Sequence, residues 1–519
     1  MRLLRAAIFA ALFLSAAVGA AWAQDITLTS RDGRVEITGT FLGFDGEFYR
    51  VDTAYGELTV DGSGVLCEGP ACPDLEAYVA RLRVSGSATM GDVLLPALVE
   101  GFALRNGYGA ERIETDATHY EYVLSETPDG REIGRFGFRA TNTDEGFADL
   151  LADETDIVMA LREVRPDELR RAADAGLGQL DGPNRSRVLA LDAMVPVTAA
   201  GNPVRAISVA DLARVFAGQI SNWRALDGPD APISLHLLDR RSGLAQAVQD
   251  RVMGPARLSF APGVIRHPTN EALAEAVSRD PFAIGISSFS ETGNTSQMTL
   301  TGPCGFTLRA ERLTIKTEDY PLTAPMFLYL PARRLPKLAR DFLTYTRSQP
   351  AQIVIRRAGF TDQAPEEIPI SAQGDRFANA IISAGEEVDL ADLKEMIGTL
   401  APMRRLSTSF RFRAGSVRLD AQSRSNVQQL ARALEAGQYD ARTLYFVGFS
   451  DGQGPAAGNA VIAQQRADAV QAAVLRAAET ANLDRVTIET RAYGEALPMA
   501  CDDSAWGRQV NRRVEVWVR

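Results

Sequence analysis

Apolar and polar positions alternate in short runs through residues 24–75, as in Val35-Glu36-Ile37-Thr38-Gly39 and Glu47-Phe48-Tyr49-Arg50-Val51. Asp32-Gly33, Asp45-Gly46 and Asp61-Gly62 break the runs. A period of two interrupted by Asp-Gly turns predicts a small, bent antiparallel sheet. From residue 76 to 362 the spacing switches between helical and strand periods. Val209, Leu212, Val215 and Phe216 share one helix face, with Ser208 as N-cap, Asp211 completing a capping box and Gly218 ending the helix. Strand candidates such as Val188-Leu189-Ala190-Leu191, Ile233-Ser234-Leu235 and Ala283-Ile284-Gly285-Ile286 alternate with such helices. That alternation predicts an α/β layered domain with a mainly parallel sheet. Residues 363–405 read as a helical connector: Gln363, Pro365, Pro369 and several acids, then helices around Phe377–Ile382 and Leu390–Leu400. Residues 406–519 read as a last compact unit. It runs from strand Phe410-Arg411-Phe412 through a helix aligning Val427, Leu430, Ala431 and Leu434 before Gly437. Strand Leu444–Val447, a long helix from Asn459 and strands Val486–Glu489 and Val514–Val518 follow.

The chain has 519 residues, 46% hydrophobic and 23% charged, which suits several globular domains rather than disorder. Residues 1–23 read as a secretory signal peptide: Arg2 and Arg5, an apolar stretch from Ala6 to Val18, and Ala21-Trp22-Ala23 as the cleavage site. The remainder carries 53 basic and 66 acidic residues, a net charge of −13, so nucleic acid is excluded as a partner and any anion site must be local. With three histidines and no HExxH or CxxC, no metal, cofactor or thiol-redox chemistry is implied. Cys67 and Cys72 flank a tight loop and can pair in an oxidising compartment, whereas Cys304 and Cys501 either bridge two domains or stay free.

Four separated motifs mark the C-terminal unit. They are Gly448-Phe449-Ser450-Asp451-Gly452-Gln453-Gly454, the helix from Asn459 through Arg466 to Val470, Tyr493-Gly494-Glu495, and Gly507-Arg508-Gln509-Val510-Asn511-Arg512-Arg513. Asn459 and Arg466 are seven apart and so share a helix face, and Asp451 lies in the loop before it. An acid and a guanidinium held close together complement a zwitterion. This order and spacing resemble the OmpA-like peptidoglycan-binding domain across 406–519. The resemblance implies that Asp451 holds the ammonium and Arg466 the carboxylate of the wall's diaminopimelate, with Asn459 beside them. Arg512 is a further candidate ligand, and Asn511 and Arg513 are expected to order the final strand. Phe449-Ser450 stand where that family commonly has His-Thr.

In the central unit Ser85-Gly86-Ser87-Ala88-Thr89-Met90 ends a strand and opens a helix. Ala190–Val197, Asn202-Pro203-Val204, Phe216-Ala217-Gly218-Gln219-Ile220-Ser221-Asn222-Trp223, Tyr320-Pro321-Leu322 and Ala358-Gly359-Phe360 follow. Together these resemble the PstS-like phosphate-binding periplasmic proteins over most of 80–362. The resemblance implies two α/β lobes with an anion between them. It places Ser87 and Thr89 in the first loop, Thr141 or Thr143 in the second, Arg162 after strand Asp156–Met159, and Arg240, Ser242 and Gly243 in the third. Ala160, Leu161 and Leu244 replace hydroxyl-bearing residues expected of that family.

The fold class is therefore a multidomain α/β chain: a small β-rich module over 24–75, a bilobal binding-protein-like domain over 76–362, the connector, and an OmpA-like α/β sandwich. The expected function is a periplasmic binding protein for a phosphate-like anion, held non-covalently on peptidoglycan at the outer-membrane side, with an ABC permease or envelope protein as a further partner. The alternative is a structural envelope protein whose bilobal domain has lost its ligand and docks a protein. No nucleophile–base pair supports an enzyme.

Overall fold

The structure is a computed structural model that describes residues 25–127, 130–384, 387–413, 416–502 and 505–519. The segment read as a signal peptide lies outside the described residues.

The N-terminal module is an antiparallel sheet in the order Gly56–Asp61, Phe48–Thr53, Glu36–Phe44, Asp25–Ser30, Val65–Glu68. Ile26, Leu28, Tyr49 and Val51 point inward, following the period of two. Cys67 and Cys72 form a disulfide beside them. So small a core leans on its neighbour. The Arg340 guanidinium donates to Asp45 at 2.8 Å, the Lys337 N–H donates to the Asp45 carbonyl at 2.7 Å, and Arg334 lies 4.0 Å over the Phe48 ring.

One mixed sheet runs through both lobes of the central domain. Strand Ala80–Ser87 lies parallel to Glu132–Thr141 and Ile157–Ala160 in the first lobe, and Ser234–Leu238 lies parallel to Ile265–His267 and Ala283–Ser288 in the second. Between them Ser186–Thr198 and Thr323–Tyr329 pair antiparallel and join the lobes. The expected mainly parallel sheet is thus corrected to a mixed one. Ser186–Thr198 is an almost unbroken buried apolar run, and such a run has no periodicity from which to read strand direction. Gly86 adopts φ +135°, and a Cβ there would sit 2.1 Å from the Met159 carbonyl, so only glycine lets these strands meet before the first loop.

In the last domain the sheet order is Glu367–Ile368, Arg404–Arg411, Arg513–Val518, Thr443–Phe449, Thr487–Ala492. Alternate residues face two different cores. Leu444, Phe446, Val514 and Val516 pack with helices Ala421–Glu435 and Ala456–Ala477, whereas Val447, Phe449 and Trp517 pack with Ala380, Leu393, Met396 and Leu400. Helices Gly374–Ser383 and Leu390–Leu400, read as a connector, therefore form the outer layer of this sheet. Prolines and acids at 363–369 gave the segment a linker-like look, while the core-facing stripe lies further on.

The last domain is bolted to the central one. Arg405 makes a two-pronged bond to Asp319 at 2.7 and 3.1 Å, both side chains buried. Glu515 collects Arg376, Arg405 and Arg513; burial alone would raise its pKa, and the three guanidinium groups instead hold it far below the usual carboxylate range. The Ala421 N–H donates to Glu163 at 2.9 Å, and Cys304 pairs with Cys501 across the interface. No helix among the described residues is long and apolar enough to cross a membrane.

Candidate functional site

Strand Thr443–Phe449 delivers Asp451 to the end of its sheet, and helix Ala456–Ala477 carries Asn459 and Arg466 past it. A Cβ on Gly448 would lie 2.0 Å from the Ala463 carbonyl, so the glycine allows the helix to rest on the strand's end. Arg466 is only 7% exposed. Its guanidinium lies 5.3 Å over the Phe412 ring, and its Nε has no hydrogen-bond partner. No carboxylate among the described residues lies within ion-pair distance of it. Burial pulls its pKa down, Arg512 adds to that, and Asp451 works in the opposite direction. Asp451 is 9% exposed and accepts from Arg512 at 2.5 Å. The buried Ser450 hydroxyl, in the same loop, has no partner.

Asp451 and Arg512 thus form a direct pair, and Arg466 lies near enough to feel the charge of both. Asn459 does not join them directly: its amide donates to Glu495 at 2.6 Å and to the Gly454 carbonyl at 3.4 Å. Asn511 and Arg513 do order the chain end. Asn511 accepts from the N–H groups of Met499 and Ala500, and Arg513 donates to the Leu497 carbonyl and to Glu515.

The cleft between the lobes is built differently. Ser87 is fully buried and its hydroxyl is unpartnered, as is that of Thr141. Thr143 is occupied by the chain itself, accepting from the Leu161 N–H at 3.1 Å. Thr89 stands at the start of the helical run with no capping bond from its side chain. Ser242 caps the helix Gly243–Val248, its hydroxyl accepting from the Ala245 N–H at 3.1 Å. A Cβ on Gly243 would sit 2.8 Å from the Leu161 Cδ1 and 3.4 Å from the Ser87 hydroxyl. Ser87 and Gly243 therefore approach each other from opposite lobes, with buried Leu161 beside both. Arg162 binds Glu168 at 2.7 and 2.9 Å and Asp144 at 2.5 Å. Burial pulls its pKa down, but the two carboxylates outweigh that and hold it above the ordinary value. Arg240 lies outside this cluster, lining a separate cavity of about 410 Å³ with Asp144, Arg165 and Asp250.

A larger cavity, about 770 Å³, lies where the central and last domains meet. Leu161, Arg162, Arg251 and Glu318 line it from the central domain, and Arg411, Arg508 and Arg512 from the last. Glu318 sits at φ +59°, a left-handed backbone that is uncommon for a residue other than glycine. Burial and Asp420 push its pKa up to about 8. Sequence reading had no signal for Arg251 or Glu318, which belong to no motif. Phe412 and Glu495 lay inside quoted segments, but only the folded chain sets one under Arg466 and the other on Asn459.

Comparison with known proteins agrees with this architecture. A PBP superfamily domain matches residues 55–350, and the OmpA family matches residues 411–512. The first match begins within the N-terminal sheet. The phosphate-binding protein PstS of Borreliella burgdorferi is 21% identical over 209 residues, 39% of this chain and 71% of the relative. Protein SphX of Synechococcus elongatus is 24% identical over 232 residues, 42% of this chain and 66% of the relative. Among solved structures, an ABC-type phosphate transport receptor from Vibrio cholerae superposes with a TM-score of 0.41 at 18% identity, over 54% of this chain and 98% of that one. The peptidoglycan-associated lipoprotein of Burkholderia pseudomallei gives a TM-score of 0.19 at 23% identity, over 21% of this chain and 89% of that one. The chain belongs to the PBP superfamily through its central domain and carries an OmpA family domain at its C-terminal end.

Proposed function

We propose that this protein is an exported envelope protein held non-covalently on peptidoglycan through Asp451, Arg466 and Arg512, and that its bilobal domain takes a phosphate-like anion. The observation that carries the wall-binding part is the buried Arg466 guanidinium, which has no carboxylate within ion-pair distance among the described residues and feels the charge of Asp451, an acid already approached by a second arginine. A diaminopimelate centre supplies what is missing: its carboxylate pairs with Arg466 and its ammonium with Asp451. Purified peptidoglycan should retain the wild-type chain in a pull-down and lose both Asp451→Ala and Arg466→Ala. Retention of both variants would remove the wall site.

For the bilobal domain, the names of the relatives support phosphate, as do the buried, unpartnered hydroxyls of Ser87 and Thr141. On this reading the protein scavenges or senses the anion near the wall, since a tethered donor reaches an ABC permease poorly. A second reading, in which the cleft binds no anion and the domain docks a protein, is favoured by Leu161 beside Ser87 and by the two carboxylates on Arg162. Calorimetry of the full chain with inorganic phosphate separates them. Saturable heat supports the first, and none up to millimolar phosphate leaves the second.

A further inference from the structure

The cavity between the central and last domains is lined by seven arginines and four acids, in a chain whose net charge is −11. Charge is therefore locally inverted there. Two of these arginines have no carboxylate within ion-pair distance among the described residues. Arg251 donates to the carbonyls of Thr323 and Pro321, and Arg508 donates to the Asp502 carbonyl at 2.8 Å. Carbonyls fix the direction of a guanidinium without cancelling its charge. The opposing acids are weakened as well. Burial raises the pKa of Glu318 to about 8 and lifts that of Glu163, with Asp420 adding to both.

Arg512 links this cavity to the pincer, because the side chain that contacts Asp451 also lines the cavity wall. The volume, about 770 Å³, far exceeds what one inorganic anion needs and lies within the range of sites for ligands the size of a short peptide. Trp506, Tyr320 and Phe327 supply apolar wall between the charges. The two sides are held in register by the Cys304–Cys501 disulfide and by Arg405 on Asp319.

We propose that this cavity receives the acidic part of a peptide whose zwitterionic residue sits at Asp451 and Arg466, with Arg251 of the central domain and Arg508 of the last domain each pairing with a further carboxylate. This rests on the peptidoglycan reading and extends it: the bilobal domain forms one wall of the wall-binding site, and one stem peptide engages both domains.

The test is calorimetry on the full chain with two probes, free meso-diaminopimelate and the tripeptide L-Ala-γ-D-Glu-meso-diaminopimelate. The wild type should bind the tripeptide more tightly. Arg251→Gln and, separately, Arg508→Gln should each weaken the tripeptide about tenfold or more, the loss of one charge-assisted bond. At least one of the two should leave free diaminopimelate within about twofold, because the γ-D-Glu carboxylate that it pairs with is absent from that probe. The two variants lie in different domains, and an unchanged unfolding midpoint shows that each is folded. Unchanged tripeptide affinity in both variants, or equal wild-type affinity for the two probes, overturns the composite site and leaves the pincer standing. If the wild type binds neither probe, the pincer falls too.

Discussion

Arg466 and Arg162 are both deeply buried arginines in loops or helices that resemblance marks as ligand-binding, yet they are built to opposite ends. Arg162 is surrounded by Glu168 and Asp144 and rests on Phe147 at 5.2 Å, so its charge is spent inside the protein. Arg466 also lies over a ring, but no carboxylate among the described residues is within ion-pair distance of it, and the charges that act on it are another arginine and Asp451. Burying an unpaired cation is unfavourable, and a protein keeps one where an incoming anion completes it. Similar burial thus reads as structure in one case and, on the proposed function, as a ligand site in the other.

That contrast can be broken by exchanging the roles of the two side chains. Arg162→Met should be the most damaging change to stability, about 3–5 kcal/mol in denaturant unfolding, because the largely buried Glu168 is left without its cation, whereas Asp144 keeps Arg165. Peptidoglycan pull-down by the fraction that remains folded should be unaffected. Arg466→Met should do the reverse. Diaminopimelate affinity measured by calorimetry should fall about tenfold to hundredfold with the lost charge-assisted contact, while the unfolding midpoint stays level or rises. A midpoint drop as large as that of Arg162→Met would show that Arg466 is structural.

Two smaller effects sharpen the picture. Leu161→Ser returns a hydroxyl beside Ser87 and removes hydrocarbon from the place where the lobes meet. Phosphate affinity by calorimetry should improve by about 1 kcal/mol, one neutral hydrogen bond. No gain would favour the protein-docking reading. Glu318 should give the stability curve a slope. Its pKa rises from an ordinary 4.5 to about 8 in the fold, so between those values the folded chain keeps a proton that the unfolded chain has released. Its contribution is therefore fully present below about 4.5 and is lost as pH rises through about 8. Melting from pH 5 to 9 should show a smaller decline for Glu318→Gln than for the wild type.

The legibility of these features in the sequence follows from where the signal resides. Alternation and Asp-Gly turns announced the N-terminal sheet, and a helix such as Leu390–Leu400 appeared with its full span because its cap and apolar stripe are local. Direction within the joined sheet was hidden, because strands buried on both faces look alike whichever way they run. The same limit applied to residues 363–405, whose role as an outer layer depends on a sheet that is completed by strands from as far away as Val518.

By itself the sequence determined which residue types stand at which loop and helix positions, and its resemblance to the OmpA-like domain singled out Asp451 and Arg466. Only the tertiary structure decided how much charge each of those residues keeps. Arg162 is neutralised by a carboxylate six residues on and another eighteen residues back, Cys304 meets Cys501 across 197 residues, and Arg251 and Arg508 line one cavity between domains. The physical reason is that the net charge of a site is a sum over neighbours in space. The order of residues along the chain fixes only a few of those neighbours.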